Sequence, residues 1–134
     1  MIEIMDTTLR DGEQTSGVAF AMQEKLSIAR MLLEELCVDR IEIASARVSE
    51  GEKNAVRMIS RYAELNGILN KVEVLGFVDG NKSVDWIHDC GCRVINLLAK
   101  GSLKHCTLQL KKTAEEHIHD IVEVLDYAKS LNMQ

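Results

Sequence analysis

The sequence predicts a parallel α/β fold of four successive strand–helix units, half of a (β/α)8 barrel. Three observations lead there. First, the apolar periodicity alternates repeatedly between a two-residue and a 3.6-residue repeat, which implies strand, helix, strand, helix with right-handed crossovers and a parallel sheet. Second, three of the predicted strands carry polar residues at alternate positions, Glu42, Glu73 and Asn96. An open doubly wound sheet covered on both faces would have strands apolar throughout, whereas a polar inner face fits the inside of a barrel. Third, a barrel of this kind takes about 250 residues, and the chain has 134.

The elements follow in chain order. Ile2 and Ile4 open a first strand over residues 2–8, and a helix spans Met22 to Cys37 with Leu26, Ala29, Leu32, Leu33 and Leu36 on its inner face. Glu24, Lys25, Glu34 and Glu35 are assigned to the other faces of that helix. The β-branched run Arg40 to Ser45 is the second strand. Ser49-Glu50-Gly51-Glu52 has the form of a helix start, and the helix it opens runs to Asn66 with Ala55, Val56, Ile59, Tyr62 and Ala63 inward. Lys71 to Phe77 is the third strand, followed by a turn at Asp79-Gly80 and a short helix bearing Val84, Trp86 and Ile87 that Gly91 terminates. Arg93 to Leu98 is the fourth strand. The last helix, Thr113 to Leu131, places Ile118, Ile121, Val122, Leu125 and Ala128 on its inner stripe.

Composition narrows the function. The chain is 46% apolar and 28% charged, enough for one domain with a core, residues 1–134 taken together. A net charge of -5 without any Lys/Arg run argues against a nucleic-acid surface. No apolar run approaches the length of a membrane span, and no basic segment precedes an apolar one at the N-terminus, so the chain reads as cytoplasmic. Cys37, Cys90, Cys92 and Cys106 read as free thiols. Cys90-Gly91-Cys92 has one residue between its cysteines, where common zinc and redox pairs have two.

The densest chemistry lies in Asp6-Thr7-Thr8-Leu9-Arg10-Asp11-Gly12-Glu13-Gln14-Thr15-Ser16-Gly17, between the first strand and the first helix. A guanidinium, carboxylates and an amide within one turn suit an oxygen-rich substrate and a divalent cation. The same residues would also make a solvated strand-to-helix turn.

This stretch closely resembles the opening signature of the metal-dependent acyltransferases and lyases that include the 2-isopropylmalate, homocitrate and citramalate synthases and the hydroxymethylglutaryl-CoA lyases. The resemblance continues through Arg40 to Glu52, Leu75 to Gly80 and Lys100 to His105, with the second and third blocks most similar to citramalate and isopropylmalate synthases. It covers most of the chain and implies the N-terminal half of a TIM (β/α)8 barrel. By that resemblance Asp11 is a ligand to a divalent metal ion (Mg, Mn or Zn), and Arg10 polarises the keto group of a 2-oxo acid and stabilises the alkoxide. Glu13 and Gln14 line and brace the site. Acetyl-CoA is the co-substrate, its enolate attacking the ketone in a Claisen condensation of amino-acid biosynthesis. His105 matches a substrate-contacting histidine of many synthases, or is an exposed loop residue. Leu75 and Leu98 form an apolar wall that sizes the oxo-acid side chain, or are plain core leucines.

The family pattern also includes a His-x-His pair on a seventh strand and a glutamate on a fifth, strands that four units do not supply. His117-Ile118-His119 has that spacing, yet it falls within the last helix, where residues two apart face different sides. With Ile118 assigned to the buried stripe, both histidines are expected at the surface. Asp11 is thus the single metal ligand expected from this chain, too few for a tight divalent site. The chain alone is therefore expected to be inactive, and to self-associate or to pair with a C-terminal-half partner through its open sheet edges. Three readings result: the N-terminal portion of a synthase, a 3-hydroxy-acyl-CoA lyase with the same opening motif, or a non-catalytic half-barrel that pairs with another chain. The Ala44 to Gly51 block favours the synthase.

Overall fold

A computed structural model describes residues 2–134. Its four strands are β1 (Met5–Asp6), β2 (Arg40–Ser45), β3 (Val72–Phe77) and β4 (Val94–Leu98), all parallel and adjacent in the order β1-β2-β3-β4. Between and after them lie α1 (Met22–Arg30), α2 (Glu50–Leu65), α3 (Lys82–Asp89), α4 (Leu103–His105) and α5 (Ala114–Ser130). The fold is the expected half-barrel. No described helix is long and apolar enough to cross a membrane.

The two faces of the sheet divide the chemistry. Ile41, Ile43, Val72 and Val74 pack outward against Ala29, Leu32 and Leu33 of the first helical segment, Val56, Ile59 and Ala63 of α2, and Ile87 of α3, forming one continuous core. Each fully buried aliphatic side chain of this kind contributes ~1.5–3 kcal/mol. The parallel register sets Glu42 beside Glu73, Leu75 beside Asn96, and Phe77 beside Leu98, so these residues share the opposite, inner face. Gly76 points outward, where an added Cβ would stand 2.5 Å from Ile95 Cδ1 and 3.3 Å from Ile87 Cδ1.

Several elements depart from the sequence reading. β1 is two residues long rather than seven. Asp6 ends it by accepting from its neighbour's backbone, Thr8 N–H to Asp6 Oδ1 at 2.9 Å, which turns the chain out of the sheet. The first helix continues from α1 as a π-helical turn over Met31–Glu35. That turn adds a residue to the stripe's period, and Leu36, assigned inward, is exposed. Lys25, assigned outward, is buried. The segment Leu103–Leu110, for which no helix was expected, forms α4 and a further π-helical turn, with Ser102 Oγ accepting from His105 N–H.

The last helix has the predicted bounds, fixed by a capping box in which Thr113 and Glu116 satisfy each other's backbone N–H groups. Its buried face is rotated from expectation. His117 is 4% exposed and Val124 is buried, while Ile118 is 60% exposed and Val122 and Leu125 are also exposed. His117 is therefore no surface residue: its Nε2 accepts from Lys100 N–H at 3.2 Å and holds the segment after β4.

Candidate active site at the mouth of the first two strands

The turn after β1 is built around one carbonyl. Thr7 O accepts from the backbone N–H groups of Arg10, Asp11 and Gly12 at 3.1, 2.8 and 3.1 Å, and a 3-10 turn follows over Gly12–Gln14. Leu9 is buried in the core and anchors the turn from below. Arg10 is thereby directed over the inner face.

A line of charged and polar groups starts there. Arg10 Nη1 donates to Asp11 Oδ1 at 2.7 Å, and Arg10 Nε donates to Glu42 Oε2. Glu42, from the middle of β2, is 0% exposed, and its other oxygen accepts from Asn96 Nδ2 of β4 at 2.7 Å. A carboxylate in that position requires both a cation and full hydrogen bonding, and it has them. Asp11, at the outer end of the line, has a side chain 61% exposed. Beside this line a cavity of about 140 Å³ is lined by Leu9, Arg10, Glu13, Gln14, Ser45 and Glu52, among others.

Glu13 does not face Arg10. Its carboxylate accepts from Phe20 N–H at 3.0 Å and pairs with Lys25 Nζ at 2.5 Å, and Lys25 also pairs with Glu52 in the first turn of α2. Sequence reasoning missed Lys25. The signal was present: residues 25, 29, 32 and 33 lie on one helical stripe, but a lysine was assigned outward on polarity alone. At this mouth two cations, Arg10 and Lys25, face four carboxylates, Asp11, Glu13, Glu42 and Glu52. The mouth thus carries a negative excess that suits a cation.

Of the expected site residues, Arg10, Asp11 and Gln14 come together on this turn. Leu75, Leu98 and His105 do not line the cavity that Arg10 and Gln14 share. Leu75 is buried on the inner face beside Asn96. Leu98 is half exposed and lines a second cavity of about 290 Å³ with Phe77, Lys100, Lys112, His117 and Asp120. His105 is exposed in α4.

The surroundings of Asp11 meet only part of what a metal ligand needs. Asp11 offers an exposed hard oxygen donor, as a divalent ion requires. However, no group of three or more His, Cys, Asp and Glu side chains converges among the described residues. The chain thus presents one candidate donor rather than a coordination sphere. None of the described cysteines lines the cavity at the mouth. Cys90 and Cys92 are buried beyond the end of α3, burial pushes the Cys90 thiol up to about 11 and raises Cys92 as well, and Cys92 donates to Val72 O at 3.2 Å.

Four parallel strands with helices on one face and polar residues clustered at the strands' C-terminal ends define a protein of the (β/α)-barrel class. The chain belongs to the HMGL-like family, whose model matches residues 1–134. It is 37% identical over 96% of its length to an (R)-citramalate synthase of Methanocaldococcus jannaschii, and 40% identical over 98% to a 2-isopropylmalate synthase of Saccharolobus solfataricus. It spans 25% and 33% of those two proteins. A crystal structure of an HMG-CoA lyase from Bacillus subtilis shares the fold with a TM-score of 0.70 at 19% identity, over 99% of this chain and 44% of that one.

Proposed function

We propose that the chain is the N-terminal portion of an acyltransferase that condenses acetyl-CoA with a 2-oxo acid, of the 2-isopropylmalate or citramalate synthase type. The observation that carries this reading is the clamping of Arg10 between buried Glu42 and exposed Asp11 at the mouth of β1. Condensation places new negative charge on the ketone oxygen as the carbon–carbon bond forms. A guanidinium whose Nε and Nη1 are already tied to carboxylates needs no reorganisation to meet that charge, and its Nη2 makes no hydrogen bond among the described residues. Asp11 is free to exchange its contact with Arg10 for a divalent ion, which would chelate the oxo acid and act as a Lewis acid. Gln14 lines the same cavity and supplies hydrogen bonds to substrate oxygens. Leu75 and Leu98, on the inner face, size the oxo-acid side chain once further strands enclose it, and His105 contacts substrate from α4, in the segment after β4.

With a single ligand of its own, this portion requires further strand–helix units to complete the site. Gln134 supports this. Its N–H donates to Arg93 O at 2.8 Å and its O accepts from Ile95 N–H at 2.9 Å, so it already lies along the β4 edge as the first rung of a parallel neighbour. The test is chromatographic measurement of CoA released from acetyl-CoA with pyruvate or 2-oxoisovalerate and a divalent ion. The chain alone should release none, and the chain co-expressed with a complementing half-barrel should release CoA. Arg10→Lys should lower that activity by roughly a hundredfold. Turnover by the chain alone would overturn the division of the site, and CoA release unaffected by Arg10→Lys would overturn the role of Arg10.

A further inference from the structure

We propose that Lys25 is a positioning residue: by clamping Glu13 to the first turn of α2, it holds the turn that carries Arg10 and Asp11 in register with Glu42. The inference rests on the site reading given above for Arg10 and Asp11.

Lys25 is 2% exposed. A lysine is almost never buried so fully unless paired, because an unpaired ammonium out of water costs several kcal/mol. Its two carboxylate partners come from two different elements, neither of them α1. Glu13 belongs to the 3-10 turn that follows Arg10 and Asp11 directly. Glu52 belongs to α2, whose first turn is fixed by Ser49 Oγ accepting from Glu52 N–H at 3.1 Å. α2 is in turn the helix entered from β2, the strand that carries Glu42. Lys25 therefore joins the element bearing Arg10 to the element bearing its partner.

Leu9 anchors the turn from below and Arg10 ties it to Glu42, and the remaining restraints lie at its two ends. At its start three N–H groups share Thr7 O, and at its end Glu13 is held by Phe20 N–H and by Lys25. Between Gln14 and α1 the chain is largely exposed. With the Lys25 contact removed, the end of the turn keeps its internal bonds, Gln14 N–H to Asp11 O and Thr15 N–H to Gly12 O, but a single hydrogen bond to the rest of the chain, Phe20 N–H to Glu13. Arg10 and Asp11 would then sample positions away from Glu42, although the core below them is intact. Neither Lys25 nor Glu52 is a hydrogen-bond or ion-pair partner of Arg10 among the described residues, so the effect passes through Glu13 and the backbone.

The experiment compares amide hydrogen exchange, followed by NMR, in the full chain and in Lys25→Met, Lys25→Arg and Glu13→Gln variants. The amides of Arg10, Asp11 and Gly12 report the turn, those of Val74 and Leu75 report the sheet, and the Arg10 Nε–H resonance reports the bond to Glu42. Lys25→Met should speed turn exchange by about tenfold with sheet exchange changed less than about twofold, and should shift the Arg10 Nε–H signal. Lys25→Arg should restore both. If Lys25→Met does not fold, Glu13→Gln decides, since it loosens the turn while Lys25 keeps Glu52. Turn exchange that is unchanged, or that rises only in step with the sheet, overturns the proposal. Exchange is independent of activity, so a failure of the synthase reading would show separately, as unaltered CoA release by Arg10→Lys in the completed barrel.

Discussion

Arg10 and Glu42 form an ion pair in which the carboxylate has no solvent exposure and the guanidinium keeps 20% of its side-chain surface in water. The asymmetry decides what each can lose. Replacing Glu42 by Gln keeps an oxygen for Asn96 but withdraws the charge facing Arg10. Breaking a buried pair from one side costs ~3–5 kcal/mol, and partial rehydration of Arg10 should reduce this to ~2 kcal/mol. Urea unfolding of Glu42→Gln, Arg10→Met and the double variant measures it. The double variant should recover at least half of the loss, and simple additivity would show that the two residues are not coupled.

Gly76 is required by its neighbours rather than by its backbone. A methyl group there would meet Ile95 Cγ1 at 2.9 Å as well as Cδ1 at 2.5 Å, between β3 and α3. Gly76→Ala should destabilise the chain by ~1–3 kcal/mol. In an Ile95→Ala background, where the clashing atoms are gone, the same substitution should be close to neutral. A cost that persists in that background would place the strain elsewhere.

Much of this was legible in the sequence, because strand periodicity, turn residues and caps are local signals. The bounds of β2, β3 and α5 depend on runs such as Arg40 to Ser45 and on the Thr113–Glu116 box, and the polar inner face was visible at Glu42, Glu73 and Asn96. Arg10, Asp11 and Gln14 stood together because one turn holds them. What was not legible depends on contacts between distant elements. Lys25 and His117 both lie on buried helical stripes, at 25/29/32 and 117/124/128, but hydropathy alone reverses such residues. Their burial is made possible by Glu13 with Glu52, and by Lys100 N–H, partners that no local pattern discloses. The shortness of β1 has the same origin: Ile4 pairs through its backbone with Asp39 and Arg40 instead of extending a regular ladder.

The buried cysteines set an alkaline limit. The Cys90 thiol, 3% exposed, titrates at about 11 in the folded chain against an ordinary value of 9.0, because burial disfavours the thiolate, and Cys92 moves in the same direction. Between these values the folded state keeps a proton that the unfolded state has lost. Stability from Cys90 is therefore fully present below about pH 9 and falls as pH rises toward 11, at up to ~1.4 kcal/mol per unit. Unfolding at pH 8, 9 and 10 should show that decline, and Cys90→Ala should be flatter than the parent chain. Parallel slopes for the two proteins would remove Cys90 from the account.

The outer face of α5 exposes apolar side chains to solvent. Ile118, Val122 and Leu125 stand one helical step apart and are 60%, 47% and 38% exposed. They form an apolar stripe on the helix that follows β4. β4 is itself at the end of the strand order, and among the described residues no strand lies beside it beyond the rung made by Gln134. In a complemented barrel this stripe and this edge would both be covered by the next strand–helix unit. In the isolated chain they are free to meet a second copy, with each half-buried aliphatic side chain adding ~1 kcal/mol. The isolated chain should therefore sediment as a species larger than a monomer at micromolar concentration. Val122→Glu with Leu125→Glu should shift it toward the monomer without loss of helical circular dichroism, since both residues lie outside the core. The same pair should weaken capture of a complementing half-barrel, because the stripe serves both contacts. A monomeric parent chain, or complementation indifferent to the double substitution, would mean that this face is solvated in the working protein.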